Sequence, residues 1–414
     1  MVKPGYKQTE VGVIPEDWDV LPMKSLTSLM TNGFVGTIKS EYVPSGTGVL
    51  YLQGFNIQEN AFDLTGVTYV SQEFHKKHLK SELKKHDLLT VQTGEIGVTA
   101  FLPEEYQGAN CQALIISRFL DTYDARFWSY YFNSLGRKSL TLIETGTTMK
   151  HINVGDMKEV LVPVPALKSE QARIAEMLSD ADQMIAAFEK LLLKKKAIKQ
   201  GAMQELLTGK KRLPGFSGEW KTTVFGNVCT IGRGGSPRPI QEYLTTDDSG
   251  INWIKIGDVK PNAKYITSTH EKITENGSLM SRCVCKGDFI LSNSMSFGRP
   301  YILKIDGCIH DGWLAIQNYH ITFDTDFLYY LLGSSYVFEQ YVQMAAGSSV
   351  QNLNKEKVAK LIVNIPSIDE QKAIASILSF MDSEIEALEQ KLEKYRQLKQ
   401  GMMQQLLTGK IRLL

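Results

Sequence analysis

The chain has 414 residues, 43% of them apolar and 22% charged, enough apolar mass to bury two to three domain cores, which excludes an intrinsically disordered protein. Lys and Arg total 46 against 45 Asp and Glu, and a net charge of +1 excludes both a histone-like basic binder and an acidic tail, so a polyanion must be met locally. Cys111, Cys229, Cys283, Cys285 and Cys308 form no C-x-x-C pair, which argues against a disulfide framework or zinc ribbon and for a reducing cytoplasm. Residues 1–19 lack an apolar core of the leader type, and no stretch approaches the roughly 20 apolar residues of a membrane span, so no membrane partner is expected.

Residues 1–165 read as an α+β domain. Short runs such as Val49-Leu50-Tyr51-Leu52 and Leu114-Ile115-Ile116 alternate with Gly, Asn and Ser breakers, and a more helical stretch from Phe127 to Leu142 closes the region. Gln53, Asn56, Gln92, Asn110 and Gln112 lie among the breakers; their amides suit base edges, and each alone reads equally as a turn residue. Lys76, Lys77, Lys80, Lys84 and Lys85 share residues 75–86 with His75, His78 and His86, a run that either tracks a phosphate backbone or is a solvated helix face. Lys150 is a further cationic candidate.

Residues 166–213 carry apolar positions at alternating spacings of four and three, Ile174, Leu178, Ala181, Ile185, Phe188 and Leu192, the seam of a coiled coil. Ser169 reads as N-cap, Glu170 as a dipole partner, Gly201 as a kink or split, and Gly209 as the residue that ends the helix. About 40 residues make a rod of roughly 60 Å, too one-sided to stand alone in water.

Residues 214–366 repeat the α+β pattern, with Trp253-Ile254-Lys255-Ile256 as one strand-like run and Phe327 to Met344 as its helical close. The loop Gly232-Arg233-Gly234-Gly235-Ser236-Pro237-Arg238 is basic and flexible but lacks the spacing of a phosphate-binding loop. Arg233, Arg238, Lys255, Asn262, Asn293 and Arg299 are the candidates for DNA contact here, Cys283 and Cys285 read as core, and His151 and His310 as the only histidines near polar partners. Basic and acidic side chains balance, 16 against 18 in residues 1–168 and 14 against 14 in 214–366, so each region alone should bind nucleic acid modestly.

Residues 367–414 repeat the first helical segment. Glu170–Leu213 aligns without a gap to Glu370–Leu413, with 24 of 44 positions identical. The second seam is Ile374, Leu378, Met381, Ile385, Leu388, Leu392 and Tyr395, with Asp369 as N-cap and Gly401 and Gly409 in the places of Gly201 and Gly209. Upstream the halves match only at framework positions: Trp18 with Trp220, Gly97 with Gly298, Gly146-Thr147-Thr148 with Gly347-Ser348-Ser349, Ile152-Asn153 with Leu353-Asn354. Nearly copied helices beside diverged globular parts imply one shared mechanical role and two separate recognition roles. The seams are expected to pair as an antiparallel, pseudo-twofold coiled coil; the alternative lays each helix across its own domain.

The tetrapeptide of amino-methyltransferases, a nuclease carboxylate cluster, H-E-x-x-H and a nucleophile elbow are all absent from the sequence, so a non-catalytic chain without metal or cofactor of its own is expected. Tyr6-Lys7-Gln8-Thr9-Glu10-Val11-Gly12-Val13-Ile14-Pro15-Glu16-Asp17-Trp18, Pro214-Gly215-Phe216-Ser217-Gly218-Glu219-Trp220, the Gly-Thr-Thr and Gly-Ser-Ser stretches, and the Glu-Gln-x-x-Ile-Ala that opens each helix resemble the DNA-specificity subunits of type I restriction-modification enzymes, in the family's order over nearly the whole chain. The resemblance implies two target-recognition domains (1–165 and 214–366) that each read half of a split, asymmetric site in double-stranded DNA. It also implies spacer helices (166–213 and 367–414) that hold them apart and dock two methyltransferase subunits. S-adenosylmethionine, ATP and Mg would be held by those and by restriction (motor-nuclease) subunits. A purely structural coiled-coil adaptor and a stand-alone DNA enzyme are the competing readings.

Overall fold

The computed structural model describes residues 3–147, 150–259, 263–293, 298–345 and 353–414. They divide into two compact units, Met1–Glu189 with Gln390–Leu414, and Lys190–Glu389. Among the described residues no helix is long and apolar enough to cross a membrane. Asn262, Thr148 and the stretch Gly347-Ser348-Ser349 lie outside the described residues.

The first unit carries strands β1 (Thr27–Asn32), β2 (Tyr42–Val43), β3 (Val49–Leu52), β4 (Thr68–Val70), β5 (Asp87–Val91), β6 (Thr99–Phe101), β7 (Asn110–Cys111) and β8 (Leu114–Phe119), with helices α1 (Gln72–Lys77) and α2 (Ala125–Phe132). One sheet is antiparallel in the order β6-β5-β8-β1; the other runs β7-β3-β4-β2, with β7 parallel to β3. The period-2 alternation of strands sends Leu88 and Ile115 into a core with Trp18 and Trp128, while Leu89, Val91, Leu114 and Ile116 face Leu52 in a second core. Both faces of β5 and β8 are therefore buried over these residues, which explains why apolar side chains stand at adjacent positions, Leu88-Leu89 and Leu114-Ile115-Ile116.

The chain then forms α3 (Lys168–Leu206). The second unit repeats the plan with β9 (Thr230–Arg233), β10 (Leu244–Thr245), β11 (Ile251–Ile254), β12 (Tyr265–Ile266), β13 (Glu271–Ile273), β14 (Arg282–Val284), β15 (Phe289–Ser292), β16 (Pro300–Leu303), β17 (Gly307–Ile309), β18 (Trp313–Gln317) and α4 (Thr325–Leu332), before α5 (Ile368–Leu406). Its sheets run β9-β18-β15-β16-β12 and β10-β13-β11-β17-β14, with β11 parallel to β17. Removing β12 and β14 from the edges leaves the strand orders of the first unit.

Each unit packs the start of one long helix with the end of the other. In the first, Ile174, Ala175 and Leu178 at the start of α3 share a core with Trp18, Phe127, Leu406 and Leu407. In the second, Ile374, Ala375 and Leu378 pack with Phe225, Phe327, Met203, Leu206 and Leu207. Within each unit the helical segments run antiparallel. Phe188 meets Tyr395 (5.1 Å between rings) and Glu189 meets Arg396 (2.6 Å) in the first; Lys195 meets Glu384 (2.9 Å) and Lys199 meets Asp382 (2.5 Å) in the second. Helix pairing and packing on the adjoining globular part thus occur together, not as alternatives. Of the seam residues, Ile174, Leu178, Ile374, Leu378, Ile385 and Leu392 are buried, and Ile185, Phe188, Leu192, Met381 and Leu388 are half-buried.

Two features of the helices correct the sequence expectation. Both begin before Ser169 and Asp369: the Glu170 amide bonds to the Leu167 carbonyl, and Ser367 Oγ accepts from the Glu370 amide, so the caps lie two residues earlier. Gly201 and Gly401 do not split their helices, which run unbroken through them. Gly209 and Gly409, at φ +71° and +65°, do take the left-handed conformation that ends each helix.

Glu170 and Glu370 do more than meet a helix dipole. Glu170 is fully buried and receives bonds from Arg412 Nε (2.6 Å), Arg412 Nη2 (2.9 Å) and Trp18 Nε1 (3.2 Å). Glu370 receives the same set from Arg212 (2.7 and 2.8 Å) and Trp220 (3.2 Å). Arg412 also bonds both oxygens of Asp17 at 2.8 Å, and that pairing holds the Asp17 carboxyl below its usual range.

Replacing Arg412 with Met strands a buried carboxylate and is expected to cost about 3–5 kcal/mol in chemical denaturation, with much of the loss recovered in Glu170→Leu/Arg412→Met. A Cβ at Gly201 or Gly401 meets nothing within 4 Å, so Gly201→Ala and Gly401→Ala should each add about 0.5–1 kcal/mol, read as a higher denaturation midpoint.

Candidate nucleic-acid interface

In each unit two parallel strands end side by side and hand the chain to polar residues. In the first, Leu52 of β3 lies opposite Cys111 of β7, and the next residues are Gln53 and Gln112. The Gln112 amide N–H bonds the Leu52 carbonyl (2.9 Å), which fixes the two side chains next to one another. Gln112 Nε2 donates to the Gly36 carbonyl (2.7 Å), so its Oε1 must face Gln53, whose Nε2 approaches at 3.4 Å and also bonds Tyr42 Oη (2.8 Å). Gln53 is held further by a turn: its backbone N–H bonds Asn56 Oδ1 (3.1 Å). Gln53, Phe55, Thr93, Glu95 and Gln112 line a groove of about 490 Å³.

The second unit builds the same place with other chemistry. Ile254 of β11 lies opposite Ile309 of β17, and Lys255 and His310 follow, with the His310 amide bonded to the Ile254 carbonyl (3.1 Å). Asp258 takes the place of Asn56 and accepts from the Lys255 amide (2.7 Å). Lys255 Nζ pairs with Glu271 (2.6 Å). His310 Nδ1 accepts from the Gly312 amide (2.9 Å), which places the ring proton on Nε2, 3.0 Å from Asp311 Oδ1. Asp311 Oδ1 also accepts from Ser236 Oγ (3.0 Å), and Arg238, 84% exposed, stands 3.7 Å from Asp311 Oδ2. Ser236, Arg238, Lys255, Glu271, His310 and Asp311 share a groove of about 480 Å³.

The remaining candidates divide. Asn56 and Asn110 are fully buried, and the reading of them as base contacts is corrected. Asn56 Nδ2 donates to the Asp63 carbonyl (2.8 Å), and the Asn110 amide joins Ser81 (2.6 Å), His75 and the His78 carbonyl. Asn293 is likewise buried, donating to the Asp311 carbonyl (2.9 Å), and supports the second groove from below. Gln92 is half-buried on the Ile152 carbonyl (2.9 Å). Lys76, Lys77 and Lys80 are exposed on and just after α1, Lys77 paired with Glu73 (2.7 Å), whereas Lys84 and Lys85 line a separate cleft of about 620 Å³ with Arg118 and Lys168. The basic run is therefore split between two places. Lys150 is exposed and paired with Glu144 (3.1 Å); Arg233 bonds the Asp311 carbonyl (3.3 Å); Arg299 lies over the Tyr301 ring.

Two further readings are corrected. Cys283, on the edge strand β14, and Cys285, just after it, are exposed; Cys283 faces Cys308 across the sheet (Sγ to Sγ 3.2 Å), and burial pushes the Cys308 thiol up. His75 and His270 also have polar partners, Asn110 Nδ2 (3.3 Å) and Asp258 Oδ1 (2.7 Å). Sequence reading singled out His310 for its polar neighbour and Ser236 as part of the basic loop, but placed neither at a DNA contact, and it passed over Tyr42. Aligning the halves by strand ends, Tyr51-Leu52-Gln53 on Trp253-Ile254-Lys255 and Asn110-Cys111-Gln112 on Cys308-Ile309-His310, would have found His310 opposite Gln112.

The chain matches the family model described as type I restriction modification DNA specificity domain twice, over residues 17–199 and 217–396. It is 25% identical over 431 residues to a Methanocaldococcus jannaschii protein named as the MjaX type I restriction enzyme specificity subunit, covering 98% of this chain and 96% of that one. It is 27% identical to the EcoKI type I specificity subunit of Escherichia coli K12, over 61% of this chain and 57% of the relative. The fold is similar to that of the type I restriction-modification S subunit from M. genitalium, with a TM-score of 0.58 at 17% identity over 94% of this chain and 96% of that one. A chain from a type I restriction-modification assembly gives 0.61 at 16% identity, over 96% and 99%. The repeated frame, the doubled match and the end-to-end relatives agree: the chain belongs to the type I restriction-modification DNA specificity family, as a specificity subunit with two DNA specificity domains.

Proposed function

We propose that each globular part reads one half of a bipartite, asymmetric site in duplex DNA, and that the paired helices set the unspecified spacer and dock two modification subunits. Base recognition is the contribution of this chain; adenine-N6 methylation with S-adenosylmethionine belongs to the modification subunits, and ATP- and Mg-dependent translocation and cleavage to restriction subunits, all in the cytoplasm. The observation that supports this reading is a single scaffold position, the paired strand ends, filled by an amide pair in one unit and by cations and carboxylates in the other while the surrounding frame repeats. A frame kept constant around changed polar groups is what two readers of different sequences require. Since the target adenine must leave the stack to react, the reader stays on the duplex while the modification subunit extrudes the base.

Four residues inserted after Glu189 together with four after Glu389, each about one helical turn or 6 Å, should lengthen the spacer by about one or two base pairs without changing either half-sequence. Long-read methylome sequencing reads this directly, and an unaltered spacer refutes the ruler. At a net charge of +1, the purified chain should bind duplex DNA weakly and with steep salt dependence, and its complex with modification subunits tightly, by fluorescence anisotropy. Nanomolar specific binding by the chain alone would contradict that division of phosphate contacts.

A further inference from the structure

The equivalent strand ends differ in hydrogen-bonding sense, and that difference names a base. A glutamine amide has one acceptor oxygen and two donor hydrogens. In the first unit Gln112 gives one hydrogen to the Gly36 carbonyl and its oxygen to Gln53, which leaves one Gln112 N–H; Gln53 keeps its own oxygen. The pair thus presents one acceptor and one donor. Adenine offers the complement in the major groove, a donor at N6 and an acceptor at N7, whereas guanine sets its O6 against the amide oxygen. Phe55, two residues beyond Gln53 on the same groove, is 52% exposed. An exposed aromatic ring beside an adenine reader matches the 5-methyl group of the paired thymine.

In the second unit each of these groups is replaced. Lys255 stands for Gln53, and the cation Arg238 reaches the same groove, so the edge offers donors in excess. Guanine presents two acceptors, O6 and N7, to such an edge. Glu271 pairs with Lys255 at 2.6 Å, while the largely exposed Arg238 stands 3.7 Å from Asp311 Oδ2. Gly257 occupies the position of Phe55, and a Cβ there would meet nothing within 4 Å, so the ring that would meet a thymine methyl in the first unit has no counterpart at this position. Lys255, His310 and Gly257, in the places of Gln53, Gln112 and Phe55, together with Arg238 therefore shift the groove from an A·T edge to a G·C edge.

We propose that Gln53 and Gln112, with Phe55, read an A·T pair in one half-site, and that Lys255 and Arg238 read a G·C pair in the other. The inference rests on the reading of this chain as a two-domain specificity subunit.

The test uses the full chain assembled with its modification subunits, and competition binding to duplexes in which every position of the site is replaced in turn. Wild-type methylome sequencing comes first: if it yields no bipartite motif, the proposed function fails, irrespective of the base assignment. With a motif in hand, Gln53→Leu should flatten discrimination at one A·T pair of one half-site by roughly tenfold to a hundredfold, and Lys255→Met should do so at one G·C pair of the other. Phe55→Ala, an exposed site that leaves both amides in place, keeps the assignment testable if Gln53→Leu fails to assemble. Wild type should lose affinity several-fold when deoxyuridine replaces the thymine of that A·T pair, and Phe55→Ala should not respond. Undiminished discrimination at every position, flattening at a G·C pair by Gln53→Leu, or equal responses to deoxyuridine in wild type and Phe55→Ala would overturn the assignment.

Discussion

A buried carboxylate at the start of each long helix, clasped by an arginine from the far side of the other helix, is the constraint on which the rest of the structure depends. Glu170 and Glu370 lie at or near zero exposure, and each is satisfied on one side by a forked guanidinium and on the other by an indole N–H. The next residue continues the arrangement: Gln171 and Gln371 donate to the carbonyls of Pro165 and Pro366 and accept from the amides of Asp124 and Asp324, at the starts of α2 and α4. One Glu-Gln dipeptide thus joins four things in each unit: its own helix, the Trp of the globular part, the short helix beside it, and the tail that follows the other long helix. That is the physical reason the helical segments are nearly copied while the sheets have diverged.

The polar layer of the seam works to the same end. Tyr130 and Tyr330 donate to Asp182 and Asp382, which pair with Lys399 and Lys199, and burial pushes both phenols well above their ordinary range. These half-buried pairs contribute little net stability, whereas Glu170 and Glu370 are buried, and a buried carboxylate left unpaired is expensive. A heptad seam alone tolerates a slip by one repeat, since apolar knobs find equivalent holes. Carboxylates that need a particular guanidinium or ammonium do not, and the cost of leaving them unpaired sets the register.

What was legible in the sequence was what is local or periodic. The seams, the ends at Gly209 and Gly409 and the duplication follow from spacing and from a conformation only glycine takes easily. The N-caps moved by two residues because Ser367 and Leu167 carry no stronger signal than Ser169 and Asp369. Gly201 was misread because glycine weakens a helix without breaking it when packing on both sides holds the turn. Asn56 and Asn110 could not be told from surface amides: an amide that closes a buried turn and one that meets a base have the same composition and the same neighbours in sequence. Cys283 failed for the converse reason, since burial of a strand residue depends on which face of the sheet is packed: Val284, next in the same strand, is buried.

The recognition grooves were the least legible feature, and the reason is topological. Gln53 and Gln112 lie 59 residues apart and meet only because β3 and β7 are parallel neighbours. Parallel pairing has no turn signal to announce it, so sequence periodicity cannot disclose which strand ends coincide. The same topology makes the position useful. Backbone bonds fix the two strand ends, so the side chains that follow can be exchanged with little disturbance to the cores, whose apolar residues point away into the sheet interfaces. Lys255 and His310 stand where Gln53 and Gln112 do, on the same backbone bonds, while Phe55 gives way to Gly257 without leaving a hole in either core. A frame in which recognition chemistry is nearly uncoupled from folding free energy can change its reading by a few substitutions, which a groove built from core residues could not.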